Sequence, residues 1–367
     1  MMGLGRIERY VVGYMLLGVL TWLAILSSVV LLIQFVELTS QVGTRADVGA
    51  DSIFQLTLLR LPSLMQILLP FCFLFGCIGA FVGLNRRSEL VAMRAAGISA
   101  WRFILPSAVG AFVLGVVAVG GLNPLAAALN AQFEAQRARL MDNYLGDQPK
   151  DIWLRQGDDT SQIVIHARDR DLRGSVPTLK GVSLFIYEKN PAGQPEFRRR
   201  LEAAEATLMP GFWRLKDVRE ATAGDSSIRS ATLSIRSTLD AEAAMESLAS
   251  PEAIAFWRLP RAIQLTEQAG FSASGYRLRF QQLLSTPLLF AAMSILAAAF
   301  SLRLARLGGL AGLAGAGVAL GFVMFFLNQF AGALAKADII PLFAAAWAPA
   351  VLALLFGVTL LCYTEDG

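Results

Sequence analysis

The chain has 367 residues, of which 55% are hydrophobic and only 16% charged, and its mean hydropathy is +0.54. So few charges do not coat a soluble globule of this size, which argues against a soluble enzyme and requires many side chains to face lipid. The formal charge of +4 is too weak a bias to indicate nucleic-acid binding.

Uncharged stretches run from Tyr10 to Val36, Leu61 to Asn85, Phe103 to Phe133, Phe280 to Leu302, Leu307 to Ala335 and Ile339 to Thr364. Each exceeds the ~20 residues that carry a helix across a ~30 Å hydrocarbon core. The first is too long for a signal-peptide core and lacks a small-residue cleavage site, so it is expected to remain as the first membrane helix. Between the third and fourth stretches, a block from about Glu134 to Arg279 holds roughly two thirds of all charges and reads as a water-exposed folded domain. Within it Ile163 and Ile165, then Val182, Leu184 and Ile186, then Trp213 and Leu215, then Leu233 and Ile235 alternate with polar neighbours. That pattern predicts an all-β domain, a sandwich, jellyroll or open barrel. The flanks, Ala126 to Met141 and Pro260 to Gly270, read as helices. The expected organisation is three membrane helices in 1–125 with a short polar-side helix at about 86–99, the β-domain and its linker helices in 126–270, and three further membrane helices in 271–367.

Orientation follows from arginines in the short loops. Arg6 and Arg9 precede the first span, Arg86, Arg87, Arg94 and Arg102 lie between the second and third, and Arg303 and Arg306 between the fourth and fifth. The other short segments offer only Arg45, Arg60 and Lys336, so the positive-inside rule predicts cytoplasmic termini and an external β-domain, in a bacterium a periplasmic one.

Motifs for catalysis are missing from the sequence: there is no P-loop, no H-E-x-x-H and no G-x-S-x-G, Gly270 to Ser274 lacking the final glycine. Cys72, Cys77 and Cys362 all fall in spans and read as packing residues, and the lone His166 builds no zinc site with them. Any energy source is expected on another chain. The most informative short segment is Asn85 to Ser99. Ser88 is expected to cap a helix, Glu89 suits its positive end, Leu90, Val91, Met93 and Ala96 offer an apolar surface, and Gly97 suits a left-handed stop. Two readings stand: a helix that docks in a soluble partner, or one that lies on headgroups.

The run Ser88-Glu-Leu-Val-Ala-Met-Arg-Ala-Ala-Gly-Ile-Ser99 resembles the coupling-helix signature of the YjgP/YjgQ permeases, the LptF/LptG family of the lipopolysaccharide export ABC transporter. The likeness extends over nearly the whole chain: Ile33 to Glu37, Leu69-Pro70, Trp213 to Leu215, Gly321 to Gln329, Ile340-Pro341 and Ala346 to Pro349. Phe35-Val-Glu and Leu327-Asn-Gln look more like the LptG branch than the LptF branch. The resemblance implies six membrane helices with a periplasmic β-jellyroll between the third and fourth. It also implies a heterodimer with the LptF permease, an LptB ATPase dimer, LptC, a periplasmic LptA bridge, and lipopolysaccharide as substrate. No cofactor or metal is implied on this chain, ATP and magnesium belonging to the partner ATPase. By resemblance, Ser88, Glu89, Leu90, Met93, Arg94 and Gly97 contact that ATPase.

The fifth span carries Gly308, Gly309, Gly312, Gly315, Gly317 and Gly321. Small residues let membrane helices approach closely, so this face reads either as packing or, with Gly312, Gly317 and Gly321, as a lateral gate. Arg60, Arg137, Arg139 and Lys336 run against the positive-inside bias. They suit the phosphates of a lipid headgroup, or snorkel and pair with acids such as Glu134 and Asp338. Gln34 and Glu37 near the outer end of span one complete the lipid-binding candidates, although Gln34, Thr39 and Gln41 are neutral where LptG-like chains carry a basic residue. Rival readings are the LptF paralogue, a membrane-anchored periplasmic binding module, and an intramembrane hydrolase.

Overall fold

Hydropathy alone places six helices, and all six are present in the computed structural model, which describes residues 5–42, 49–141, 152–157, 161–171, 178–189, 195–209, 211–222, 228–237, 253–268, 273–304 and 310–365. Helix α1 is Arg6–Val42, α2 Ala50–Arg86, α3 Glu89–Ala95 and α4 Trp101–Val117. A π-helical turn, Ala118–Leu122, carries α4 into α5, Asn123–Met141. Strands β1 Ile152–Gly157, β2 Ser161–Asp171, β3 Thr178–Lys189, β4 Pro195–Met209, β5 Phe212–Thr222 and β6 Ile228–Arg236 follow. The chain then forms α6 Leu259–Gln268, α7 Ser274–Leu304, α8 Leu310–Lys336 and α9 Leu342–Glu365. The described residues form two compact units: the helical bundle of α1–α5 and α7–α9, with Ala255–Trp257, and the β-sheet with α6. Thus Ala126 to Met141, expected as a linker of the β-domain, continues the third span and groups with the bundle.

The two 37-residue helices α1 and α2 run about 55 Å, well past a hydrocarbon core. Their crossing is set by glycine against glycine. A Cβ added at Gly18 would overlap the Gly76 carbonyl oxygen, and one at Gly76 would stand 2.6 Å from Val19 Cα. The same device recurs where Gly115 of α4 meets Pro287 of α7, a Cβ there standing 2.5 Å from the proline Cα. Small residues at such points bring backbones together where lipid supplies no hydrophobic drive between helices. Polar side chains add directional bonds: buried Ser107 and Ser294 share a 2.9 Å hydrogen bond, and Cys77 donates its thiol to Ser294 Oγ at 3.5 Å. Cys72 and Cys77 are free and buried, as packing residues of α2.

The inserted sheet is antiparallel, with strand order β1-β2-β3-β4-β5-β6. The all-β insert expected from the alternation is therefore present, and its described strands follow one another as a meander. One face buries Ile165, Leu179, Leu184, Leu201, Trp213 and Leu215. Alternation along the strands is not uniform. It steps by one between Leu179 and Val182, between Ala203 and Ala206, and between Leu215 and Val218, all of which are buried. The steps line up, since Val182 pairs with Ala203 and Ala203 with Val218, while Lys180 pairs with Glu205 and Glu205 with Lys216. Gly181 at φ 60° and Asp217 at φ 49° make two of them, because a left-handed residue turns the following side chains to the other face.

Candidate functional site

Residues around α3 form a corner between α2 and α4. Arg87 N–H donates to Gly83 and Ser88 N–H to Asn85, closing α2, and Ala92 N–H to the Ser88 carbonyl opens α3. Ser88 takes φ 58° and makes no side-chain cap, which corrects the expectation of a serine cap: a left-handed backbone turns its hydroxyl away from the free N–H groups of the first turn. Gly97 is left-handed, at φ 78°. Its N–H donates to Arg94 and that of Ile98 to Met93, the paired bonds of a Schellman stop. Leu90 is buried in the bundle core with Leu84, Ala100 and Phe103. It fastens α3 to the bundle and leaves Val91, Ala92, Ala95 and Ala96 exposed, with Glu89, Met93 and Arg94 half-buried. Glu89 Oε1 accepts the Tyr10 hydroxyl at 3.2 Å.

Across the bundle, α1, α2 and α8 border an open cavity of about 600 Å³ lined by Trp22, Leu26, Phe71, Phe75, Gly317 and Phe325, among other apolar side chains. Its wall is aromatic: Trp22 and Phe75 pack 5.1 Å apart, and Phe71 and Phe325 6.0 Å. Of the three proposed gate glycines, Gly317 lines this cavity and Gly321 packs against Phe71 and Phe75 of its wall. A Cβ at Gly317 would lie 3.0 Å from Ile78 Cδ1, and one at Gly321 3.3 Å from Phe71 Cδ1. Gly312 is exposed and has nothing within 4 Å. Gly308 and Gly309 lie outside the described residues.

Four lipid-binding candidates converge at the end of α1 farther from α3. Gln34 donates its amide to Glu37 at 2.8 Å, Gln41 donates to the other Glu37 oxygen at 3.3 Å, and Arg137 of α5 donates to Gln41 Oε1 at 3.2 Å. The Arg60 guanidinium lies over the buried Phe133 ring, 5.3 Å from its centroid, held by cation–π attraction. Arg60 and Arg137 make no ion pair among the described residues. Gln34 Oε1 and Arg137 Nε are buried without a partner, a cost of about 1–3 kcal/mol each unless something else satisfies them. Lys336 stands apart, exposed at the end of α8, and Arg139 lies in the last turn of α5.

Several residues here escaped the sequence. Gln41 and Phe133 hold the two arginines, yet one is a neutral polar residue and the other an ordinary apolar one. Asn123, buried beside the π-helical turn, donates to Gln66 Oε1 at 3.0 Å and accepts the Phe256 N–H at 2.8 Å, while Trp257 donates to the Gly120 carbonyl at 3.0 Å. An Asn-Pro pair within an apolar run was the available signal.

A family model described as lipopolysaccharide export system permease LptF/LptG matches residues 9–363. Among characterised proteins, the lipopolysaccharide export system permease protein LptG of Escherichia coli K12 is 25% identical over 343 residues, 90% of either chain. Its counterpart in Escherichia coli O6:H1 matches to the same extent. With six apolar helices, an inserted sheet and a family match from Arg9 to Tyr363, the chain belongs to the LptF/LptG lipopolysaccharide export permeases, multi-pass proteins of the inner membrane.

Proposed function

We propose that this permease is the LptG-branch half of a lipopolysaccharide exporter. It pairs with an LptF permease, LptC and the LptA bridge, and is powered by ATP and magnesium on a separate LptB-type ATPase. The observation that carries the reading is the almost wholly apolar cavity between α1, α2 and α8, with a polar rim farther along α1 and α2 that carries Arg60 and, from α5, Arg137. Gln34 lies eight residues beyond Leu26 on α1, and Arg60 seven residues before Ile67 on α2, so the rim stands about 10–12 Å from the cavity. An amphiphile with apolar chains and a phosphorylated headgroup needs that sequence of environments. Its chains fill the aromatic wall, and its phosphates take the Arg60 and Arg137 guanidinium groups, which form charge-assisted bonds. The short-loop arginines support cytoplasmic termini and a periplasmic β-domain. In that orientation α3 faces the ATPase, and its exposed apolar face with Glu89 and Arg94 is the docking surface. The glycine face of α8 slides on Phe71 and Phe75 as a lateral gate, and no bond-making chemistry is assigned to this chain.

The test is charge reversal at the rim. Arg60→Glu with Arg137→Glu sets two like charges against phosphate, which costs far more than losing an attraction. In nanodiscs containing the assembled exporter, lipopolysaccharide should no longer stimulate ATP hydrolysis, while assembly is unchanged. Full stimulation in that variant would place the headgroup elsewhere.

A further inference from the structure

The corner between α2 and α3 is braced from α1 on both sides of its strained residue. Ser88, a non-glycine residue at φ 58°, holds a backbone conformation that serine adopts at a cost. On one side Arg87 donates to the Tyr14 hydroxyl and lies over the Tyr14 ring, 5.5 Å from its centroid. On the other, Tyr10 donates its hydroxyl to Glu89 Oε1 at 3.2 Å. Tyr10 and Tyr14 are one helical turn apart, with ring centroids 4.9 Å from each other, so the two contacts form one pad on the first span. Tyr10 reaches only Oε1; the other carboxylate oxygen, Oε2, meets no donor among the described residues.

We infer that Tyr10 is a positioning residue for Glu89. By fixing one carboxylate oxygen to α1, it holds the other toward solvent for a cation of the docking ATPase, and it ties the start of α3 to the first span. Without it, the carboxylate of a residue at the first position of a helix turns back onto the free N–H groups of its own first turn. The inference rests on the reading of α3 as the coupling helix. Preorganisation of this kind raises affinity by removing the ordering cost at docking. Motion of α3 is also passed to α1, which lines the cavity.

Tyr10→Phe removes the hydroxyl and keeps the ring that packs on Tyr14. In the reconstituted exporter it should lower ATPase affinity about three- to tenfold, the worth of one hydrogen bond to a partly exposed carboxylate. The discriminating readout is a double-mutant cycle with Glu89→Ala. In that background Tyr10→Phe should have no further effect, because the group it acts through is gone. If Tyr10→Phe is silent in the native background, or lowers affinity equally in both, the inference is overturned while the coupling-helix reading stands. If Glu89→Ala itself leaves assembly and turnover unchanged, both fall.

Discussion

Gly76→Ala adds one methyl group at the crossing of α1 and α2, and the structure fixes what that group meets. Its Cβ would stand 2.5 Å from Val19 N, 2.6 Å from Val19 Cα and 2.8 Å from the Gly18 carbonyl carbon. All three are backbone atoms, so no rotamer change relieves the overlap. Carbon atoms pack at about 3.5–4.0 Å, so the helices must part by about 1 Å, and a gap of that size forfeits up to about half of each neighbouring dispersion contact. Overpacking costs about 1–3 kcal/mol, and alanine returns about 1 kcal/mol of helix propensity over glycine. With dispersion lost along the seam, including the Trp22–Phe75 contact, the expected net destabilisation is about 2 kcal/mol, roughly 30-fold in the unfolding equilibrium. Gly83, on the same helix, has nothing within 4 Å of an added Cβ, so Gly83→Ala should be neutral or slightly stabilising. Equilibrium unfolding of both variants in mixed micelles makes the comparison. Equal stability of the two would refute the view that a glycine contact sets this crossing and the mouth of the cavity beside it.

Gly97→Ala meets no neighbour within 4 Å, but alanine at φ 78° costs about 1–2 kcal/mol. It should loosen the end of α3, seen as faster amide exchange at position 97 and at Ile98, with a moderate loss of ATPase coupling. Asp217→Gly relieves the left-handed residue of β5 and should stabilise the sheet by about 0.5–1 kcal/mol, whereas Asp217→Val should destabilise it by more than that. Amide exchange of β4 and β5 in the full-length protein reads both.

The spans were legible because the membrane imposes one crude requirement, some twenty residues without charge. The chain stop at Gly97 was legible because only glycine takes a left-handed backbone freely. β4 was not. Its sequence, Pro-Glu-Phe-Arg-Arg-Arg-Leu-Glu-Ala-Ala-Glu-Ala-Thr-Leu-Met, is rich in helix formers, yet it is an inner strand of the sheet. Ladders on both sides override that propensity, small Ala203 and Ala206 fill the buried face, and the charges cross-pair outside, Arg199 with Glu220 at 2.9 Å and Glu205 with Lys216 at 3.0 Å. The rim was half legible. Arg60 and Arg137 stood out by charge, but their supports, Phe133 and Gln41, are defined by helices that meet far apart in the chain. Leu90 reads as docking surface from its apolar character alone, and only the packed bundle turns it inward.

The central claim is that lipopolysaccharide occupies the cavity between α1, α2 and α8. A photo-crosslinking residue at Phe322, which lines the cavity, tests it against one at Leu352, an exposed position on α9 away from it. In cells, Phe322 should yield a lipopolysaccharide adduct that accumulates when ATP hydrolysis is blocked, and Leu352 should yield none. Equal labelling at the two positions, or adducts of bulk phospholipid alone at Phe322, would contradict the account.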